Sequence, residues 1–160
     1  MQGKKVWALL RIALGWVFLW AFLDKLFGLG FATAKDKSWL AGGSPTAGFL
    51  KGAVQGPFAD VYHSLSGSPI VDWLFMLGLL CLGLALVFGV AMRLSAWGGS
   101  TMMALMYLAL LWPANNPVID EHVIYALALL SLHSVDAGKT WGIGEWWEKL
   151  DLVRKYPVLK

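Results

Sequence analysis

Between Leu10 and Phe31 the chain reads LRIALGWVFLWAFLDKLFGLGF, an apolar stretch with Arg11 near one end and Asp24-Lys25 near the other. A hydrocarbon core of ~30 Å is crossed by about 20 predominantly apolar helical residues. An ionised side chain at its centre costs about 2.5–3.5 kcal/mol or more. The three charges must therefore lie at the edges of the core or find partners. On a helix Asp24 stands roughly 28 Å from Lys5, at the far edge of the hydrocarbon.

The remainder of the chain obeys the same solvent. Hydrophobic residues make up 58% and charged residues 14% of the 160, well short of the quarter or so that a soluble domain carries. We read one integral membrane domain, residues 1–160, with the lipid bilayer as its main partner. Ten tryptophans fit that reading, since Trp collects where bilayer meets water. The formal charge of +3 is small, and the basic residues sit beside the spans, which argues against nucleic acid. Cys81 is the single cysteine. It excludes an intramolecular disulfide, a C-x-x-C redox pair and covalent c-type haem.

The pattern predicts an all-α membrane protein: a four-transmembrane-helix antiparallel bundle with a long ordered outer loop and a C-terminal interfacial helix. The spans cover about 5–31, 69–92, 94–112 and 117–135, with the outer loop at 32–68 and a tail at 136–160. Short links between the last three spans force antiparallel neighbours. Lys4-Lys5, an apolar run and Ala32-Thr33-Ala34 superficially resemble a cleavable leader, but the run is too long and too charged, so it is read as a retained span. Lys4, Lys5, Arg93, Lys139, Lys149, Arg154, Lys155 and Lys160 fall on one side if both termini are cytoplasmic. Arg11 then snorkels at the inner edge. The turn 113–121 holds Asp120 and Glu121 and no Lys or Arg, as an outer turn should.

Ser44-Pro45, Ser68-Pro69 and Asn116-Pro117 each place an N-cap residue before a proline, a helix-start signal. Residues 46–62 read as an apolar, partly helical segment at the outer interface, broken by Gly48, Gly52, Gly56 and Pro57. In the tail, Trp141–Leu152 suggests an amphipathic helix lying on the inner surface.

Three constellations could carry chemistry. Trp16, Trp20 and Asp24 lie at i, i+4 and i+8 on one helix face, an aromatic wall ending at a carboxylate. Ordinary packing, a locally paired Asp24 and a snorkelling Lys25 explain them equally without function. In the stretch Asn115–Tyr125, His122 and Tyr125 share a face one turn into the fourth span. Asp120 and Glu121 stand in its first turn, where the helix dipole alone accounts for them. Asp24, Lys25, His122 and Tyr125 fall at one depth and are expected to form one outer polar site. Third, Gly42-Gly43-Ser44-Pro45-Thr46 can present backbone N–H groups to an anion, or serve simply as a turn. No metal signature appears. His122 and His133 stand about 16 Å apart on one helix, which disfavours bis-histidine haem.

Arg11…Gly15-Trp16-Val17-Phe18-Leu19-Trp20-Ala21-Phe22…Asp24-Lys25-Leu26-Phe27-Gly28 resembles the first span of the DoxX/DoxD family of small four-span membrane proteins. Gly42–Thr46 with Gly48-Phe49-Leu50, then Asn116-Pro117…Asp120…His122…Ile124-Tyr125-Ala126, and the tail Gly142–Trp147 resemble its DoxD-like branch. That branch implies the small subunit of thiosulfate:quinone oxidoreductase, which couples two thiosulfates to tetrathionate and reduces a membrane quinone. The resemblance implies Lys25, Gly43, Ser44, Thr46, Asn116 and Asp120 as the seat of a small sulfur anion. It places quinone beside Trp16 and Trp20, and gives Asp24, His122 and Tyr125 the protons. It also implies a second oxidoreductase subunit. Small-residue stripes (Ala85 and Gly89; Ala96, Ser100 and Ala104) permit a homo-oligomer. Two other functions stay open: a non-catalytic anchor for soluble redox or sulfur-transfer proteins, and a small-molecule carrier.

Overall fold

The computed structural model describes residues 2–114 and 116–160; Asn115 lies outside the described residues. All regular secondary structure among them is helical, with no strand. Four long helices dominate: α1 (Gln2–Phe27), then, after a loop with two short helices, α2 (Ala47–Gly52) and α3 (Ala59–Leu65), come α4 (Pro69–Phe88), α5 (Met92–Ala109) and α6 (Glu121–Ser134). Two tail helices follow, α7 (Gly144–Trp147) and α8 (Asp151–Lys155). Segments Gly3–Phe27 and Pro69–Phe88 are each long and apolar enough to cross a membrane.

The helix boundaries follow local chemistry. The first helix stops at Phe27 because Gly28 turns left-handed, with φ +66°, and its N–H closes on the Asp24 carbonyl at 2.8 Å. Pro69 opens α4 directly after Ser68, as read from the sequence. Ser44 likewise caps the turn into α2, its hydroxyl accepting from Ala47 N–H at 3.1 Å.

Two expectations fail here. The fourth helix does not begin at Pro117. The Asn116 side chain instead accepts from Val118 and Ile119 N–H, at 3.0 and 3.2 Å, and holds a turn. Asp120 then supplies the true N-cap, and α6 has 14 residues, about 21 Å of helix. Nor is the tail one amphipathic helix. Leu150 is extended between α7 and α8, and Trp147 Nε1 folds the chain back by donating to Leu159 O at 2.6 Å.

Small residues decide which helices touch. α1 runs antiparallel along α4, Gly15 meeting Leu86 and Val87 while Gly83 meets Leu19. A Cβ on Gly83 would sit 2.8 Å from Leu19 N, so only glycine permits this approach. α5 packs along α6, with α4 against α5 and α1 against α6 completing the set. The core between them holds Leu14, Phe18, Leu79, Leu82, Leu86, Met103, Leu129 and Leu132. Outside it, Ile70, Trp73, Leu74, Leu105, Ile124 and Leu127 are more than half exposed, as helices in contact with lipid should be.

The molecule thus has two ends. The tail end gathers the start of α1, the α4–α5 link and residues 135–160. The loop end gathers the end of α1, α2, α3, and the turns before α4 and α6. Arg11, expected to snorkel, is instead fully buried at the tail end. Its guanidinium donates to the carbonyls of Leu86 (2.9 Å), Val87 (3.4 Å), Thr140 (3.2 Å) and Trp141 (2.9 Å). The last turn of α4 needs such a donor, because its carbonyls have no helical partner and the dipole there is negative.

Candidate functional site

The loop end carries the buried polar groups that were singled out, together with one that was not. Asp72, in the first turn of α4, is 6% exposed. Its Oδ1 accepts from Ser44 Oγ at 2.9 Å, Thr46 N–H at 3.1 Å and Thr46 Oγ1 at 2.6 Å. Ser44 and Thr46 were expected to face a free anion; they hold the protein's own carboxylate, and at the positive end of α4 that satisfies both partners. Gly43 serves the same turn. Its N–H donates to Ser38 O at 2.9 Å, and a side chain there would collide with the Lys37 backbone. The signal available in the sequence was an acid one turn after Ser68-Pro69, on a span otherwise free of charge.

Asp24 is buried too, and it is used locally. Its two oxygens accept from Phe31 N–H at 3.3 Å and Ala32 N–H at 3.0 Å, which ties the chain leaving α1 back onto the helix. Trp16 and Trp20 do form an aromatic row, 5.8 Å between centroids, extended by Phe31 edge-on to Trp20 at 5.1 Å. Trp16 is 53% exposed, so the row is a surface rather than a pocket.

His122 and Asp120 make the second polar group. The ring Nδ1 lies 2.7 Å from Asp120 Oδ2, while Asp120 Oδ1 accepts from His122 and Val123 N–H. Burial pushes the Asp120 carboxyl up, but the hydrogen bonds from the His122 ring, Val123 N–H and His122 N–H, with the charge of His122, outweigh it and hold the carboxyl below its ordinary value. An ionised carboxylate only accepts, so Nδ1 carries the proton and Nε2 is the ring nitrogen not engaged by Asp120. Tyr125 lies one turn on, half-buried and edge-on to Phe18 at 6.3 Å. Among the described residues no hydrogen bond or ion pair joins Asp24 to His122 or Tyr125; each carboxylate is bonded within its own turn.

Beside the Asp72 cluster lies a cavity of about 660 Å³, within the range of small-molecule sites. It lies between the loop helices and the loop-end halves of α4 and α5, with Phe49 and Leu50 of α2, Tyr62 of α3, Phe75 of α4 and Met102 of α5 among its walls. The lining is almost wholly apolar. Lys25 is its one basic residue, and Thr46 its link to the Asp72 cluster. Lys25 makes no salt bridge among the described residues. The roof is pinned by Tyr62 Oη donating to Leu105 O at 2.7 Å and Gln55 N–H donating to Ala109 O at 3.2 Å. Of the quinone-side expectations, neither Trp16 nor Trp20 lines this space. No group of three or more acids, histidines and cysteines that could hold a metal occurs among the described residues.

The model of the DoxX family matches residues 6–112, more than half of the chain. No curated protein and no solved structure matches it.

Proposed function

The chain belongs to the DoxX family of membrane proteins, and on that footing we propose that it is the membrane subunit of a quinone-linked oxidoreductase, oxidising thiosulfate to tetrathionate at the loop end. In this reading α1, α4, α5 and α6 all cross the bilayer with both termini in the cytoplasm. Lys4, Lys5, Arg93 and the basic tail support it, since they gather at the tail end. The chain then forms one membrane domain, and the loop end faces outward, where its exposed Lys35, Lys37 and Lys51 draw an anion in.

One observation carries the reading: an apolar cavity at the loop end with a single cation in its wall. A quinone is a flat apolar ring with two acceptor oxygens, and Lys25 can donate to one of them. The cavity suits the ring better than the Trp16–Trp20 surface, because its walls come from α2, α3, α4 and α5 rather than from one helix face. Two thiosulfates release two electrons on forming the S–S bond of tetrathionate. The quinone takes up those electrons with two protons. The proton relay is assigned to His122, oriented by Asp120, and to Tyr125 one turn on; neither lines the cavity, so they serve it from outside its wall. Asp24 acts by fixing the turn after α1, and so the position of Lys25. The sulfur anion is assigned to Lys25 and the loop lysines, since Ser44 and Thr46 are spent on Asp72. A second oxidoreductase subunit would complete the enzyme.

Reduction of a short-tailed quinone by thiosulfate, followed with purified protein in lipid nanodiscs, tests this. Lys25→Ala and His122→Ala are each expected to lower the rate at least tenfold. Full activity in both variants refutes the site, and a wild-type protein that neither binds nor reduces quinone refutes the function. One observation favours the anchor reading: Trp141, Trp146 and Leu152 are about 60% exposed on a folded tail. A soluble protein retained by wild type and lost in Trp146→Ala would support it.

A further inference from the structure

The cavity is longer than a headgroup requires. Its α5 wall runs from Leu108 to Gly98, ten residues or roughly 15 Å of helix. Thr101, Met102 and Leu105 continue the face that Gly98 begins, at i+3, i+4 and i+7. At the far end Gly98 adds no side chain to the wall, and a Cβ built there meets nothing within 4 Å. Its neighbour Gly99 is a packing glycine, whose Cβ would lie 2.7 Å from Leu129 Cδ1. Gly98 therefore bears a helix-propensity penalty with no helix-packing reason for it. Leu74 on α4 and Leu105 on α5 line the cavity and are 67% and 53% exposed, so its wall reaches the lipid-facing surface of these two helices.

We infer that this cavity takes a tailed amphiphile from the bilayer, with its acceptor headgroup at Lys25 and its apolar chain laid along α5, and that Gly98 sets the chain length admitted. The chemistry on the page supports each part. A cation without an ion pair calls for an acceptor, a nearly wholly apolar wall calls for a chain, and a wall that reaches the lipid-facing surface calls for a ligand dissolved in lipid. A tailed quinone and a fatty-acid carboxylate share these features. Only the identity of the headgroup rests on the function proposed above.

The test uses the full chain in nanodiscs and needs no turnover. Two photoreactive probes carry a diazirine at the end of a ten-carbon chain, one headed by a quinone ring and one by a carboxylate. A third is the quinone with a two-carbon chain. Labelling by a long probe is expected within residues 98–106. Gly98→Leu is expected to lower the long-to-short labelling ratio about tenfold and Gly98→Ala about twofold, with helix content followed by circular dichroism. Alanine, the smaller change, reports even if leucine disturbs folding. If the carboxylate labels and the quinone does not, the cavity assignment stands and the quinone reading falls. Label confined to Trp16–Phe31, label spread evenly over lipid-facing residues, or a ratio unmoved in both variants overturns the inference. So does absence of label with cross-linked dimers, which would give the cavity to a second copy.

Discussion

The two ends of α4 each hold a buried charge of the sign that the helix dipole favours, and they treat it in opposite ways. At the tail end Arg11 reaches four backbone carbonyls, and backbone closes in around it. A Cβ on Gly142 would lie 2.8 Å from the Arg11 guanidinium and 2.8 Å from Phe88 O, so glycine is required for that closure. At the loop end Asp72 is held by Ser44 and Thr46, yet the neighbouring space stays open and Lys25 beside it has no ion pair among the described residues. Glycine permits closure of the tail end, whereas Gly98 leaves the far wall of the cavity without a side chain. A satisfied charge in a filled region holds the fold together, whereas an unspent one beside a void is available to a ligand.

The comparison is tested hardest at Arg11. Arg11→Leu leaves the carbonyls of Leu86, Val87, Thr140 and Trp141 without their donor in a region that water reaches poorly. The expected loss is about 3 kcal/mol or more, read by chemical unfolding in detergent. Arg11→Lys keeps the charge, but an ammonium cannot span four carbonyls, so it should recover only part of the loss. A neutral result for Arg11→Leu would mean that the charge does not close the tail end.

Arg11 is buried where its position in the chain predicts snorkelling. Position along the span placed it at the edge of the core, which is correct, and snorkelling is the usual behaviour there. Its acceptors lie 75 and 129 or more residues away in the chain, and no local pattern announces them. Local signals did better. Ser68-Pro69 marked the start of α4, Ser44 capped the turn into α2, and the breaks at Gly56 and Pro57 separate α2 from α3. Asn116-Pro117 failed because Asn can satisfy a turn with the same side chain that caps a helix. The polar groups of the site were legible one by one, but not their partners: Ser44 and Thr46 found Asp72, and Asp24 found its own loop. The cavity was invisible, since its walls come from single faces of several helices.

Asp72 gives the next largest effect. Removing the acceptor in Asp72→Ala strands three donors and is expected to cost about 2 kcal/mol. Asp72→Asn keeps an oxygen for them and should cost about 1 kcal/mol or less. Unlike Arg11→Leu, Asp72→Ala should also weaken binding in the cavity, because it releases Pro45 and Thr46 from the rim. If Asp72→Ala destabilises the protein and leaves ligand affinity untouched, the loop end is no more functional than the tail end.

Asp120 carries the smallest change and gives the sharpest signature. Its carboxyl is held below the ordinary value near 3.8, so its ionised form stabilises the fold. That contribution is complete above the ordinary value and fades as pH falls through the lower folded one. Asp120→Asn retains a side-chain oxygen to cap α6 and removes only the charge. The variant should therefore melt a little lower than wild type from pH 5 to 8, by some tenths of a kcal/mol. The two curves should start to approach each other as pH falls below the ordinary carboxyl value and meet only below the lower folded one. Asp120→Ala loses the cap as well and should stay about 1 kcal/mol less stable even where the curves of wild type and Asp120→Asn meet. A gap for Asp120→Asn that persists unchanged into acid would mean that the Asp120–His122 pair contributes through shape alone, and the proton relay assigned to it would lose its basis.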